Sequence, residues 1–452
     1  MREKANKKTI LFGLGWTTLS TITVGASQIL RLAILARFLT KDDFGIVAIL
    51  TFVLGFTNVF SDLGLSAAVM AERKLSREQF LSLYWLQFLV YNSIFFLAVL
   101  FTPIIASYYN TPSLTILLPI ALSEMFFVSI GKLYNTVLQK ELLFKIISIR
   151  NITSSILSLV VAVVLAWLGS GVYSLVLSTL FYAAMVNIWN LVAGQKQYKL
   201  AFKKPEIRKS YELIRIGIYQ MGTQILDYVS SKMDVFMVSI FFDMSTLGIY
   251  NLAKELVLKS VIVINSIVSK VLLPVLSERQ DDIEDLKRMF KSFLSKLSLI
   301  NTPLVSFVFL FSPLIVDIFY GKTYAEAYDI VSIMALWSLF VILVQPNGTV
   351  ALAMKRTDIA FRYTIIRLLI MGTLLFTFSR YSLQAAAYTM LGSYFIMMFV
   401  NWKMILHTTI KMSLGEYLST LKPTWLILIT LPFLHTLINN FINWDEFESI
   451  FL

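Results

Sequence analysis

Thirteen runs of mostly apolar residues, none shorter than 20, fill most of this 452-residue chain. They lie at about 10–38, 44–71, 79–106, 113–139, 142–168, 171–194, 211–241, 247–275, 292–318, 328–353, 360–380, 383–406 and 423–442. About 20 apolar residues is the length a helix needs to cross the hydrocarbon core of a bilayer. Inside that core the backbone must satisfy its own hydrogen bonds, which helices do within one segment. Hydrophobic residues make up 57% of the chain, charged residues 15%, and the mean hydropathy is +0.75. Soluble proteins carry about 25% charged residues. The sequence therefore reads as an all-α, polytopic membrane protein. The first run follows the basic start Met1 to Lys8 and continues without an Ala-x-Ala cleavage site, so it reads as a retained helix.

The basic residues fix the expected orientation. Of 39 Lys and Arg, 26 fall in the N-terminal segment and in alternate loops on the same side. The opposite loops hold only Lys41, Lys322 and Arg380, and ten basic residues remain. This split places the N-terminus in the cytoplasm and supports the span count, because one missed helix would scramble the alternation. The net charge of +12 is thereby explained as orientation, without nucleic acid. Cysteine is absent, which excludes disulfides and thiolate chemistry, and His407 and His435 are too far apart in sequence for a histidine-rich metal centre. No cofactor is expected.

The longest basic connector, 196–210, divides the chain into an N-terminal six-helix lobe at 1–195 and a C-terminal six-helix lobe at 211–408. Residues 409–452 add a loop, one extra transmembrane helix and an acidic tail. The halves share a weak repeat at an offset of 203 residues. Phe38-Leu-Thr-Lys-Asp-Asp-Phe-Gly-Ile46 matches Phe241-Phe-Asp-Met-Ser-Thr-Leu-Gly-Ile249, with Phe38/Phe241, Gly45/Gly248 and Ile46/Ile249 identical. Each copy reads as a tight turn and a capped helix start, at Asp42/Asp43 and at Ser245/Thr246. An even number of spans per half makes the repeat parallel. Two such lobes are expected to enclose a central cavity. Pro346, in Gln345-Pro-Asn-Gly348, is a candidate kink in the tenth span.

Arg37, Arg215, Lys232 and Lys270 lie near helix ends and read as snorkelling to headgroups. Arg31, Lys132, Arg150, Lys254, Lys259 and Arg367 sit deeper. A mid-bilayer Arg or Lys costs about 2.5–3.5 kcal/mol on the milder insertion scale, so the set implies a polar cavity. Helical spacing agrees: Gln220, Gln224, Asp227, Ser231 and Asp234 form one face of the seventh span, and Thr51, Gly55, Asn58, Asp62 and Ser66 one face of the second. The first span aligns Thr17, Thr21, Gln28 and Arg31, and the eighth aligns Asn251, Glu255, Lys259, Ser266 and Ser269. The fourth adds Glu124 and Lys132, and the fifth Arg150. The alternative is a set of static ion pairs, such as Asp227 or Asp234 with Arg31.

Leu35-Ala-Arg-Phe-Leu-Thr-Lys-Asp-Asp-Phe-Gly45, followed by Phe60-Ser-Asp-Leu-Gly-Leu65, resembles the start of the polysaccharide transporter family. These are the Wzx-type flippases of the multidrug/oligosaccharidyl-lipid/polysaccharide exporter superfamily. Gly248-Ile-Tyr-Asn251 and Pro274-Val-Leu-Ser-Glu-Arg-Gln-Asp281 resemble its second half. The resemblance implies twelve core helices in two lobes and translocation of polyprenyl-pyrophosphate-linked oligosaccharide across the bacterial inner membrane. It also implies partners in the same pathway, a polysaccharide polymerase and glycosyltransferases. On that reading Arg31, Lys132, Arg150, Lys254 and Lys259 are candidates for the pyrophosphate head group, and Gln224 is a further substrate-binding candidate. Asp62, Glu124, Asp227 and Asp234 are candidates for a coupling proton or sodium ion.

Rival readings are a drug/cation antiporter, disfavoured by the excess of deep basic residues, and a peptidoglycan-precursor flippase. A polytopic polymerase or transferase is a further rival, disfavoured by short outer loops and the lack of clustered acids and histidines. No phosphate-binding Gly-x-x-x-x-Gly-Lys-[Ser/Thr] loop exists for ATP hydrolysis. The thirteenth span at 423–442 and the tail 443–452, with three acids and no Lys or Arg, predict a C-terminus outside.

Overall fold

The apolar runs do fold as helices, and the places where they break follow local chemistry. The computed structural model describes residues 7–72, 75–202, 210–277 and 279–441. The N-terminal residues 1–6, Arg73, Lys74, most of the basic connector (203–209) and the tail 443–452 lie outside the described residues. In chain order the helices are α1 (Lys7–Leu35), α2 (Lys41–Asp62), α3 (Leu65–Ala71), α4 (Arg77–Tyr108), α5 (Leu114–Leu122), α6 (Glu124–Lys140), α7 (Phe144–Trp167), α8 (Tyr173–Gly194) and α9 (Tyr211–Phe241). There follow α10 (Met244–Ser277), α11 (Ile283–Leu310), α12 (Ser312–Phe319), α13 (Tyr328–Ala353), α14 (Thr357–Phe378), α15 (Leu383–Asn401), α16 (His407–Ile410), α17 (Leu414–Thr420) and α18 (Lys422–Phe441). No strand occurs among the described residues.

Ten helical segments among the described residues are long and apolar enough to cross a bilayer. The protein is thus a multi-pass membrane protein. Helices α9 and α10 are also long, 31 and 34 residues, but they carry the acidic and basic side chains singled out above.

Three predicted spans are interrupted. The run at 44–71 breaks where Leu63 and Gly64 adopt positive φ of 48° and 63°. Gly64 is needed there on a second count, since a Cβ on it would lie 2.1 Å from the Gly217 carbonyl oxygen. The run at 113–139 divides at Ser123, and that at 292–318 at Phe311. Pro346, in contrast, lies inside α13, which continues through it.

Packing divides the chain into two compact units. The first is Met1–Leu39 with Ile46–Val229, and the second is Thr40–Gly45 with Ser230–Leu452. The expected boundary at 196–210 therefore differs from the observed one, which falls inside α9, and the turn 40–45 goes with the second unit. In the first unit α1 packs on α7, and α6 and α7 on α8. Leu65, Val69, Phe80, Leu83, Tyr134 and Val137 form a buried core where α3, α4 and α6 meet. Tyr198 stacks on Phe80 at 4.5 Å between ring centroids, and Trp85 Nε1 donates to the Ala201 carbonyl at 2.9 Å, tying the segment after α8 to that core. In the second unit α13 is the central helix, packed by α10, α11 and α15 and buried on most sides. Helix α18 docks on α11, where the Thr424 hydroxyl meets those of Ser298 at 2.5 Å and Thr302 at 3.1 Å.

The 203-residue repeat is visible in geometry. Helix α2 is capped by Thr40, whose Oγ1 accepts from the Asp43 amide at 3.3 Å while Asp43 Oδ2 accepts from the Thr40 amide at 2.9 Å. Helix α10 is capped by Asp243, whose Oδ1 accepts from the Thr246 amide at 3.0 Å. The caps thus sit at Thr40 and Asp243, earlier than the expected Asp42 and Ser245. The reason is that the capping residue precedes the first helical one, so that its side chain reaches the amide three positions on. Thr40 and Asp243 are 203 residues apart.

Candidate functional site

The structure sorts the ten candidate residues by what surrounds them. In the second unit Asp234 of α9 and Lys254 of α10 face each other. Lys254 Nζ donates to Asp234 Oδ2 at 2.6 Å, and the same oxygen accepts from the Tyr250 hydroxyl at 2.8 Å. Asp234 and Lys254 are 1% and 3% exposed, and the Lys254 ammonium lies 5.6 Å from the centre of the Trp337 ring on α13. This is a buried ion pair with a cation–π backing. Within its own unit Asp234 thus has Lys254 as its ion-pair partner. Lys259 forms a second pair, one helical turn along α10, with Glu255 at 2.9 Å. The structure thus brings Lys254 and Lys259 to carboxylates of their own unit.

In the first unit Arg150 of α7 is 4% exposed and bound by three asparagines. Its Nη1 donates to Asn135 Oδ1 of α6 at 2.9 Å and to Asn190 Oδ1 of α8. Its Nε and Nη2 donate to Asn151 Oδ1 at 3.1 and 2.7 Å. A guanidinium has five N–H donors in a fixed fork, and carboxamide oxygens satisfy it without neutralising it. Asp62, at the end of α2, accepts on Oδ1 from Ser66 at 2.6 Å and from the buried Gln87 amide at 3.1 Å.

Glu124 opens α6 directly after the break at Ser123. It has no hydrogen-bond or ion-pair partner among the described residues. It lines a small cleft with Thr51 of α2 and Thr179 of α8, in walls otherwise made by residues such as Val47, Leu54 and Val176. Arg31 of α1 reaches the same threonine, its Nη1 lying 3.4 Å from Thr179 Oγ1. Tyr182, one turn along α8, is within electrostatic reach of Arg31, Arg150 and Glu124. Lys132 is half-buried on the α6 face that also carries Glu124 and Asn135. Gln224 is half-buried on α9, and Asp227 on the same helix is exposed.

Several expected polar-face groups are spent locally. The Thr17 and Thr21 hydroxyls donate to carbonyls four residues back in α1, each at 2.8 Å. Residues missed by sequence reasoning are Asn135, Asn151, Asn190, Thr179, Tyr182, Gln87, Tyr250 and Trp337. For α8 a signal was present: Thr179, Tyr182 and Asn190 are spaced by 3 and 8, one face of a helix.

A family described as polysaccharide biosynthesis protein matches residues 34–329. The teichuronic acid biosynthesis protein TuaB of Bacillus subtilis is 27% identical over 424 residues, 93% of this chain and 87% of that protein. The lipopolysaccharide biosynthesis protein WzxC of Escherichia coli is 21% identical over 369 residues, 81% of this chain and 73% of that protein. Among solved structures, the lipid II flippase MurJ in an inward closed conformation has a TM-score of 0.73 at 16% identity, covering 96% of this chain and 98% of that one. An inward-facing multidrug resistance MATE family transporter of the MOP superfamily has a TM-score of 0.64 at 14% identity, covering 85% and 96%. These structures share the fold. Because the family match spans more than half of its length, the chain belongs to the polysaccharide biosynthesis protein family.

Proposed function

We propose that this protein is a flippase that moves polyprenyl-pyrophosphate-linked oligosaccharide across the bacterial inner membrane by alternating access, with its N-terminus in the cytoplasm. The relatives named for teichuronic acid and lipopolysaccharide biosynthesis support a substrate destined for surface polysaccharide. The transporter fold supports translocation over an enzymatic role. The observation that carries the reading is Arg150. A buried guanidinium held by carboxamides keeps its full charge and supplies positive potential inside the first unit. That potential favours an anionic head group and opposes the cationic cargo of a drug antiporter. Arg31 and Lys132 add to it on neighbouring helices. Glu124 is the acid best placed to take up a coupling proton or cation, because its carboxylate is uncommitted within the unit. The pathway's polymerase and glycosyltransferases are the proposed functional neighbours.

Cells lacking the protein test the reading. They should accumulate a lipid-linked oligosaccharide, identified by mass spectrometry of extracted polyprenyl lipids, and lose the corresponding surface polymer. An unchanged lipid pool with normal surface polymer would refute it.

A further inference from the structure

The buried pair of the second unit and the cleft of the first occupy equivalent positions in the repeat. At the 203-residue offset marked by Thr40/Asp243, Asp234 corresponds to Arg31, Tyr250 to Val47 and Lys254 to Thr51. In the second unit these positions hold an acid, a phenol and an amine in direct contact. In the first unit Val47 and Thr51 line the cleft, Arg31 stands where the acid would be, and the acid enters from α6 as Glu124. Where the second unit has the long lysine arm, the first has a threonine and an open volume of about 40 Å³. That exceeds the roughly 10–15 Å³ a single water needs.

The second-unit arrangement also has unused capacity. Asp234 Oδ1 is buried with no hydrogen-bond partner among the described residues. The Lys254 ammonium meets one carboxylate oxygen, which leaves Oδ1 available as a further oxygen ligand. We infer that Lys254 is a tethered cation that permanently fills a cation seat at Asp234, leaving the first-unit counterpart, at Glu124, Thr51 and Thr179, as the one open to exchange a proton or small alkali cation. The second half of this inference rests on the coupled-flippase reading; the first half does not.

The groups facing each seat are specific. Glu124 sees Tyr182 from α8 and Tyr91 from α4, and Arg31 approaches through Thr179 from α1. Asp234 sees Lys254 and Tyr250 from α10 and Tyr394 from α15. Lys232 and Glu255 are within reach of the lysine.

The test uses the full-length protein in detergent, unfolded thermally in sodium, potassium, methylammonium or choline chloride at equal ionic strength. Lys254→Ala should gain a rise in midpoint of about 2 °C or more in a small cation relative to choline. Asp234→Asn/Lys254→Ala should not show it. Lys254→Met repeats the comparison if the alanine variant is not recovered folded, because it keeps most of the arm's volume. A folded Lys254 variant with no more cation response than the double variant would overturn the tethered-cation assignment. Flipping by Glu124→Gln in vesicles addresses the other half. Loss of the response to proton or sodium gradients is expected. A retained response alongside a cation-sensitive Lys254 variant would overturn the role of Glu124 while upholding that of Lys254.

Discussion

Gly45 and Gly248, 203 residues apart, each press against the first turn of the helix that carries the other. A Cβ on Gly45 would lie 2.0 Å from the Met244 carbonyl oxygen, and a Cβ on Gly248 would lie 2.0 Å from the Lys41 carbonyl oxygen. Met244 and Lys41 are themselves 203 residues apart, so the contact is symmetric. Lys41 is further held by Glu326 at 3.0 Å, and Phe44 packs edge-on against Tyr324. The identical glycines of the repeat are thus explained by close backbone approach between α2 and α10.

Alanine at either glycine must push two backbones apart. Gly45→Ala and Gly248→Ala should each cost about 1–3 kcal/mol or more, read as a lower unfolding midpoint and reduced membrane abundance. Gly222→Ala on α9 is the control, because nothing lies within 4 Å of its added Cβ. It should be neutral or stabilise by up to about 1 kcal/mol. Equal losses at all three positions would contradict the close-approach account.

The caps make a pH-dependent prediction. The Asp243 carboxyl is held below its usual value of 3.8, first by the Thr246 side chain and then by the Thr246 amide. A carboxyl depressed in the folded state stabilises above its unfolded pKa and loses that contribution as pH falls through the folded value. Asp243→Ala should therefore lower the unfolding midpoint at pH 7 by an amount typical of a lost cap, about 0.5–2 kcal/mol. The gap should narrow only below about pH 4. A gap that stays constant down to pH 3 would show that the carboxylate is not what caps α10.

Arg150 should not tolerate lysine. An ammonium offers three donors on a flexible stem and cannot serve Asn135, Asn151 and Asn190 in the fork geometry seen here. Arg150→Lys is expected to cost about 1–3 kcal/mol of stability through unsatisfied buried carboxamides. A midpoint equal to wild type would mean that the asparagines do not define the site.

Much of this was legible in the sequence, and the exceptions have definite causes. The helical character and both charged α9–α10 faces follow from periodicity, and Gly45/Gly248 marked the repeat. The breaks at Leu63–Gly64 and Ser123 were hidden because apolar composition continues across them, while the turn depends on two backbone torsions and a neighbouring glycine. The partners of Arg150 were hidden because Asn135, Asn151 and Asn190 sit on three helices, and an asparagine carries no charge to advertise a pairing. Asp234 and Lys254 were each read as ligand groups. Twenty residues separate them, and only the hairpin of α9 and α10 brings them to 2.6 Å.

The docking of α18 offers a further check. Thr424→Val keeps the shape and removes the hydroxyl that meets Ser298 and Thr302. The Ser298 hydroxyl then loses that partner, at a cost of about 1–3 kcal/mol. Faster proteolytic release of the C-terminal segment in Thr424→Val than in wild type is the expected readout, and identical release rates would contradict it.

The central claim is tested most directly by reconstituting the purified protein in vesicles with a fluorescent polyprenyl-pyrophosphate oligosaccharide and measuring how much becomes accessible to a membrane-impermeant quencher or enzyme on the far side. The account predicts protein-dependent translocation that falls at least about tenfold in Arg31→Gln, which remains folded. Translocation no faster than in protein-free vesicles, by wild-type protein with a normal unfolding midpoint, would contradict it.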